Sequence, residues 1–63
     1  MRELAYLEEA LAIEEATLRS VNDCHEFYLK EGDKEMASHM KGIMENEKEH
    51  LKIIRERLKE MKH

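Results

Sequence analysis

The sequence has few of the residues that break helices or build small disulfide-rich folds. Proline and tryptophan are absent, glycine occurs twice, phenylalanine once and cysteine once, as Cys24. With so few turn-forming residues, the chain does not have the composition of a β-rich or disordered protein. A single cysteine excludes an internal disulfide framework and favours a reducing compartment. We therefore expect a helical protein of the cytoplasm.

Long apolar runs are also missing, as is the apolar core of a signal peptide near the N-terminus, so we expect neither a membrane span nor secretion. The formal net charge of −4 argues against a nucleic-acid partner and mildly attracts cations. Charged residues make up 41% of the chain and hydrophobic residues another 41%, which is typical of long amphipathic helices. A single domain of 63 residues buries little apolar surface by itself.

A heptad pattern predicts a first helix over about residues 3–30. Apolar residues recur at alternating intervals of three and four, as they do where helices pack together. The predicted inner seam is Leu4, Leu7, Leu11, Glu14, Leu18, Val21, His25 and Tyr28. Glu14 places a carboxylate within this leucine-rich seam, whereas the adjacent Glu15 falls on the polar arc. If one of these two acids is a ligand, we expect it to be Glu14.

The segment at residues 31–33 predicts a tight turn. Gly32 suits the left-handed position that follows a helix end, and Asp33 is a good N-cap for the next helix. A connection this short forces an antiparallel hairpin, with the second helix over about residues 34–62. The whole chain, 1–63, is then one helical hairpin of the all-α class.

The second helix carries Glu47-x-x-His50 within its apolar stripe. The predicted stripe is Met36, Met40, Ile43, Glu47, His50, Ile54, Leu58 and Met61. Residues three apart share a helix face, so the carboxylate and the imidazole can reach one point in space. With the turn centred near Gly32, positions whose numbers sum to about 64 lie opposite each other, so Glu14 should face His50 on a buried seam. A buried charge without a partner is costly, so something must compensate it.

Two carboxylates and one imidazole make half of a site for a transition metal. A two-fold dimer of hairpins would present the same patch from each copy and give a four-helix bundle with two Glu14, two Glu47 and two His50. Four carboxylates in one dry core would repel one another and have raised pKa values. Two divalent metal ions would cancel this charge.

These residues resemble those of a known family. Glu14 on one helix and Glu47-x-x-His50 on the next resemble half of the ferritin-like di-iron carboxylate bundle, in which each half contributes a Glu and a Glu-x-x-His. The run from Glu45 to Leu51 is similar to the second-helix motif of rubrerythrins, and the interval from Glu14 to Glu47 resembles that of rubrerythrins and bacterioferritins. In architecture the chain looks like the encapsulated ferritins, single hairpins that complete a di-iron centre by dimerising. It departs from rubrerythrins at Val21, where they often have a tyrosine.

The resemblance implies a centre with two Fe ions per dimer, although the ligand set suits Mn as well. By this resemblance Glu14 and His50 would be terminal ligands, Glu47 would bridge the two irons, and these three residues would be the catalytic ones. The implied reaction is oxidation of Fe(II) with dioxygen or peroxide. The implied partners are a second copy, a higher homo-oligomer and an encapsulating shell protein, which would place the chain inside a protein nanocompartment.

Alternative interpretations stay open at this point. The polar layer can instead fix the register of a metal-free helical-hairpin dimerisation module. His25 and His39 also have numbers that sum to 64 and are candidates for a weaker second metal site, or for local hydrogen bonding. An outer apolar column, made of Tyr6, Ile13 and Phe27, would be partly exposed in an isolated dimer and favours assembly beyond two chains.

Overall fold

The computed structural model describes residues 2–61, which form two long helices joined by a tight turn. Helix α1 spans Arg2–Glu31 and helix α2 spans Lys34–Met61, and the two pack against each other along their length. The predicted all-helical hairpin is therefore confirmed, and the predicted helix ends at residues 3, 30 and 34 agree to within one residue. The predicted end of the second helix, Lys62, lies outside the described residues. Neither helix has a stretch long and apolar enough to cross a membrane.

The turn has the hydrogen bonds that a glycine-capped helix end requires. Gly32 has a positive φ of 76°. Its N–H donates to the Leu29 carbonyl at 3.2 Å, and the Asp33 N–H donates to the Tyr28 carbonyl at 3.0 Å, so two carbonyls at the end of α1 are satisfied. Asp33 then caps α2, because its Oδ1 accepts the Met36 N–H at 3.1 Å. Both roles predicted for Gly32 and Asp33 are confirmed.

The inner seam between the helices follows the predicted heptad on α1 but not fully on α2. All eight predicted seam positions of α1 are partly buried. On α2 the best-buried residues of the described chain are Ala37, Leu51 and Leu58, at 4%, 3% and 6% exposure. The predicted stripe contained only Leu58 of these three. The inner seam of α2 is Ala37, Met40, Met44, Glu47, Leu51, Ile54, Leu58 and Met61.

The predicted burial of His50 is wrong for the single hairpin. Its side chain is 54% exposed, because His50 lies beside the seam and not in it. One residue turns an α-helix by about 100°, so when Leu51 points at α1 the neighbouring His50 points to the side. The apolar arc of α2 is wider than one seam, and the predicted stripe mixed seam residues with residues of this flank.

The hairpin is elongated and leaves much surface uncovered. Its Cα atoms extend over 47 × 14 × 12 Å with a radius of gyration of 14.5 Å, whereas a compact domain of this length would have about 10.6 Å. The accessible surface is 5035 Å², compared with about 4,200 Å² for a compact monomer of 7.5 kDa. Broad faces of both helices are therefore available for partners.

Two ion pairs lie on opposite sides of the inner seam. Arg55 donates from Nη2 to Glu15 Oε2 at 2.9 Å, and Arg57 Nη1 lies 3.9 Å from Glu3 Oε2. Since residues 55 and 57 are about 200° apart around α2, each pair marks one flank of the hairpin. Glu15 was expected on the polar arc, but its side chain is only 40% exposed and is held against α2 by Arg55.

The two flanks differ in composition. On the Arg57 side, α2 presents Met36, Ile43 and His50 at seven-residue intervals, and we call this surface the site face. Helix α1 adds its outer apolar column to the site face, with Tyr6 65%, Ile13 58% and Phe27 55% exposed. On the Arg55 side, α2 presents Lys34, Lys41 and Lys48 at the same intervals, and we call this surface the lysine face.

Candidate metal centre

Three potential ligands meet near the middle of the hairpin, at the edge of the inner seam. Glu14 comes from α1, and Glu47 and His50 come from α2. One ligand atom from each lies within 4.8 Å of the other two. His50 Nδ1 is 3.8 Å from Glu14 Oε2 and 3.9 Å from Glu47 Oε1. The expected juxtaposition of Glu14 and His50 across the hairpin agrees with these distances.

The heptad explains why these side chains converge. Glu14 takes an inner-seam position between Leu11 and Leu18, and Glu47 takes one between Met44 and Leu51. His50 follows Glu47 by one helical turn, so both project toward the same level of α1. The exposed fraction of the side chain rises from 15% for Glu47 to 28% for Glu14 and 54% for His50. The cluster is thus closed toward the seam and open toward the site face.

Glu47 is incompletely satisfied in the single hairpin. Its Oε2 is buried and has no hydrogen-bond partner among the described residues. The distances of 3.8 and 3.9 Å to His50 are too long for hydrogen bonds, so the imidazole does not compensate it directly. A buried acceptor left without a partner costs about 1–3 kcal/mol. The site therefore has an uncompensated carboxylate that a cation or a proton would stabilise.

The pKa of Glu47 is raised above its ordinary value of 4.5. The largest cause is the hydrogen bond that a protonated Glu47 side chain can make with Glu14, followed by desolvation and by repulsion from the Glu14 charge, while the His50 charge acts in the opposite direction. Hydrogen bonding of the protonated form and repulsion between like charges both favour proton uptake. In the absence of a cation, Glu47 therefore takes up a proton more readily than an ordinary glutamate does.

The chemistry of the donors fits a first-row transition ion. Imidazole nitrogen suits iron and zinc, and carboxylate oxygen suits manganese and other hard cations. Nitrogen and oxygen ligands lie about 2.1 Å from Zn²⁺, so two ligand atoms on one ion are at most about 4.2 Å apart. The distances from His50 Nδ1 to the Glu14 and Glu47 oxygens, 3.8 and 3.9 Å, are both below this limit. The buried oxygen of Glu47 supplies a further free acceptor. Three protein ligands leave coordination positions that a second copy could supply.

The other predicted ligand positions are not part of this cluster. His25 lines a hollow on the lysine face with Ala37, whereas His39 lines a separate hollow with Gly42 and Ile43. Within residues 2–61 neither histidine belongs to a group of three potential metal ligands. Cys24 is exposed and is not in a disulfide. The weaker second site therefore gains no support from the arrangement of the described residues.

The charge pattern of the lysine face was not recognised from the sequence. The pairing of Arg55 with Glu15 joins positions whose numbers sum to 70, which a register based only on the turn did not indicate. A signal was nevertheless present, because Lys34, Lys41, Lys48 and Arg55 recur every seven residues. Such a line stays on one side of a helix that packs with a heptad repeat.

Comparison of the chain with protein-family models, with curated proteins and with solved structures gave no match. A function must therefore be argued from the chemistry of the cluster and from the surface that surrounds it.

Proposed function

We propose that two copies of the hairpin pair through their site faces to form a ferritin-like four-helix bundle, and that the bundle binds two iron ions and oxidises Fe(II) with dioxygen or peroxide. Glu14, Glu47 and His50 of each copy are the ligands. The observation that carries the proposal is the convergence of these three side chains around a buried carboxylate oxygen without a partner. Manganese would fit the same donor set.

The exposure of the site face supports the pairing. Ile13, Tyr6 and Phe27 are each more than half exposed, and Met36 and Ile43 are only partly covered. Exposed apolar side chains grouped on one flank are typical of an interaction site. His50 lies on the same flank, so a copy docked here would cover the open side of the cluster. Burial of apolar surface would then stabilise the bundle at roughly 25 cal/mol per Å² removed from water.

Charge compensation supports the metal. A two-fold interface brings together two Glu14 and two Glu47, and their repulsion adds to the cost of the buried Glu47 oxygen. Two divalent ions would neutralise the four carboxylates. The neutral nitrogen of His50 completes the set without adding negative charge. Metal binding and pairing would therefore stabilise each other.

Each residue has a distinct part in the proposed chemistry. A bound iron pair supplies the electrons that reduce dioxygen or peroxide. Glu47 is the least exposed of the three ligands, and it would hold the iron together with Glu14 and His50. The carboxylates favour the ferric over the ferrous state because they stabilise the higher positive charge. The apolar site face limits the access of water and strengthens these charge interactions.

A second candidate is a metal-free dimerisation module, which the raised pKa of Glu47 favours. A proton shared by Glu14 and Glu47 would remove one charge per hairpin and let the carboxyl pair act as a polar layer that fixes register. The two candidates differ in what Glu47 contributes to stability. A metal ligand destabilises the metal-free protein, whereas a hydrogen-bonded polar layer stabilises it.

Removal of the Glu47 carboxylate tests the proposal. Anaerobic protein would be loaded with Fe(II) and exposed to oxygen, and the remaining Fe(II) would be followed with a ferrous chelator. We expect rapid oxidation by the parent and by the control Glu49→Ala, whose side chain is exposed, and oxidation at the buffer rate by Glu47→Ala. We also expect metal-free Glu47→Ala to be at least as stable to urea as the metal-free parent.

The contrary results are equally specific. Unimpaired oxidation by Glu47→Ala would remove this residue from the reaction. A metal-free Glu47→Ala variant destabilised by about 1–3 kcal/mol would instead indicate lost hydrogen bonds of a structural layer. That outcome, together with failure of the parent to bind Fe(II), would favour the metal-free module.

A further inference from the structure

The lysine face carries a regular line of cations in a chain that is acidic as a whole. Lys34, Lys41, Lys48 and Arg55 follow one another at seven-residue intervals along α2, in a chain of formal net charge −4. Seven residues of helix advance by about 10.5 Å, so the line covers most of the length of α2. It lies on the flank opposite His50 and uses none of the metal-centre residues.

Among the described residues, only one of these four cations has an ion-pair partner. Arg55 meets Glu15 of α1 at 2.9 Å. Seven and fourteen residues after Glu15, where further acids could pair with the lysines, α1 has Asn22 and Leu29 instead. Asn22 lines the same hollow as Lys48, and Leu29 lines the same hollow as Lys41. Within residues 2–61, no carboxylate oxygen lies within 4 Å of the ammonium groups of Lys34, Lys41 or Lys48. These three charges are therefore free to meet an external anion.

Two hollows with apolar floors accompany the unpaired lysines. A hollow of about 290 Å³ lies beside Lys48, with Leu18 and Met44 as its apolar lining. A second hollow, of about 400 Å³, lies beside Lys34 and Lys41 and is lined by Leu29 and Ala37. The two hollows lie one after the other along the groove between the helices. The groove thus combines apolar recesses with positive charge at its rim.

We propose that this groove, from Lys34 to Lys48, docks an acidic amphipathic helix of another protein. The three lysines would pair with carboxylates spaced one heptad apart on the partner. Apolar side chains between these carboxylates would enter the two hollows, as anchors do when a helix binds in a groove. Charge complementarity sets the register and direction of such a contact and increases the association rate.

Other occupants fit the groove less well. In a two-fold contact between lysine faces, a second copy would bring like charges together, which is unfavourable. Nucleic-acid binding requires a broadly basic surface, whereas the cations here form a single line along one helix. A membrane would need several protruding apolar side chains, but among the apolar residues that line the two hollows only Leu29 is more than half exposed. An acidic helix satisfies both the charge and the shape of the groove.

The test uses a labelled synthetic helical peptide and the full chain. The peptide has about 21 residues, enough to span both hollows, with glutamates every seven residues and leucines between them on the same face. A control peptide of identical composition has its glutamates on the opposite face. Fluorescence anisotropy at two salt concentrations would measure binding. We expect the parent to bind the first peptide more tightly than the control, and less tightly at high salt.

A pair of charge reversals localises the contact. Lys41→Glu, in the middle of the groove, should weaken binding by about tenfold or more, because like charges would then face each other. Lys30→Glu makes the same change in net charge at an exposed position of α1 that lines neither hollow, and should alter binding by less than about twofold. Circular dichroism of both variants checks that the hairpin is intact.

Three results would overturn the proposal. The first is no binding of the acidic peptide by the parent at physiological salt. The second is an equal loss of binding in the two reversals, which would indicate attraction by net charge alone. The third is binding of phosphatidylserine vesicles or a DNA duplex to the lysine face in preference to the peptide, which would assign the groove to a different partner. None of these results bears on the metal centre, because the peptide contact uses neither Glu14, Glu47 nor His50.

Discussion

The two flanks of the hairpin are built on the same repeat but carry different chemistry. Both follow the seven-residue interval of the inner seam, so both present continuous lines of side chains. The site face is apolar around an acidic cluster with an unpartnered oxygen, and the lysine face is cationic around apolar hollows. The site face has a carboxylate oxygen without a hydrogen-bond partner among the described residues, and the lysine face has three lysines without an ion-pair partner among them. The comparison indicates that neither flank is complete in a single hairpin.

The largest expected effect separates two adjacent glutamates, one in the inner seam and one on the lysine face. Glu14→Ala should abolish stoichiometric metal binding, because it removes one of the three proposed ligands. Glu15→Ala should leave metal binding intact, because Glu15 pairs with Arg55 and points to the lysine face. Anaerobic titration with Co(II), followed by its absorption spectrum, measures both. An equal loss of Co(II) binding in the two variants would mean that Glu14 and Glu15 are wrongly assigned to the metal centre and the lysine face.

The next largest effect concerns pairing of the hairpins. Ile43→Glu adds a charge to the site face and should turn the dimer into a monomer at concentrations where the parent is dimeric, since an unpaired charge in a dry interface is costly. Lys41→Glu adds a carboxylate to the lysine face of the same helix and should leave the dimer unchanged. Sedimentation velocity distinguishes these states. Dissociation caused only by Lys41→Glu would mean that the hairpins pair through the lysine face and not through the site face.

A smaller effect concerns pH and the metal-free protein. The folded chain binds the Glu47 proton more tightly than the unfolded chain, since the pKa of Glu47 is raised above 4.5. At pH values between the pKa of Glu47 in the unfolded chain and its higher pKa in the folded chain, the folded state holds more protons. Glu47 therefore makes the free energy of unfolding fall as the pH rises above about 4.5. Glu47→Gln removes this dependence. In urea unfolding, the stability of the variant relative to the parent should therefore increase with pH and then level off, and a decrease would contradict the prediction.

The smallest effect concerns the ion pair of the lysine face. Arg55→Ala should cost about 0–1 kcal/mol of unfolding free energy, because both side chains are substantially exposed, at 57% and 40%. Leu51→Ala is the matched comparison in the inner seam and should cost about 2–5 kcal/mol. Urea unfolding of both variants measures the difference. An equal cost would mean that the lysine face contributes to the fold as much as the core does.

The turn and the helices could be predicted from local signals. The seven-residue pattern of α1 and the Gly32-Asp33 pair act over a few residues, and the structure agrees with both. The opposition of Glu14 and His50 required only the centre of the turn. Each of these predictions depends on spacing along the chain, which the sequence contains.

The position of each side chain around its helix was less predictable. The apolar arc of α2 is broad enough for two seams, one through Leu51 and one through His50, and the sequence does not say which of them faces α1. In the structure the seam through Leu51 packs against α1, and His50 lies on the flank. The pairing of Glu15 with Arg55 depends on the same rotation. The seam through His50 has no packing partner within one hairpin. Under the proposed function, a second copy would cover it.

Metal-dependent assembly tests the central claim most directly. Sedimentation of the parent chain would be measured anaerobically across a titration with Fe(II), together with bound iron. We predict that binding saturates at about one ion per chain and that the dimer is stabilised over the same range, because each site needs ligands from both copies. An absence of bound iron, or equally tight binding by a monomer, would contradict the claim.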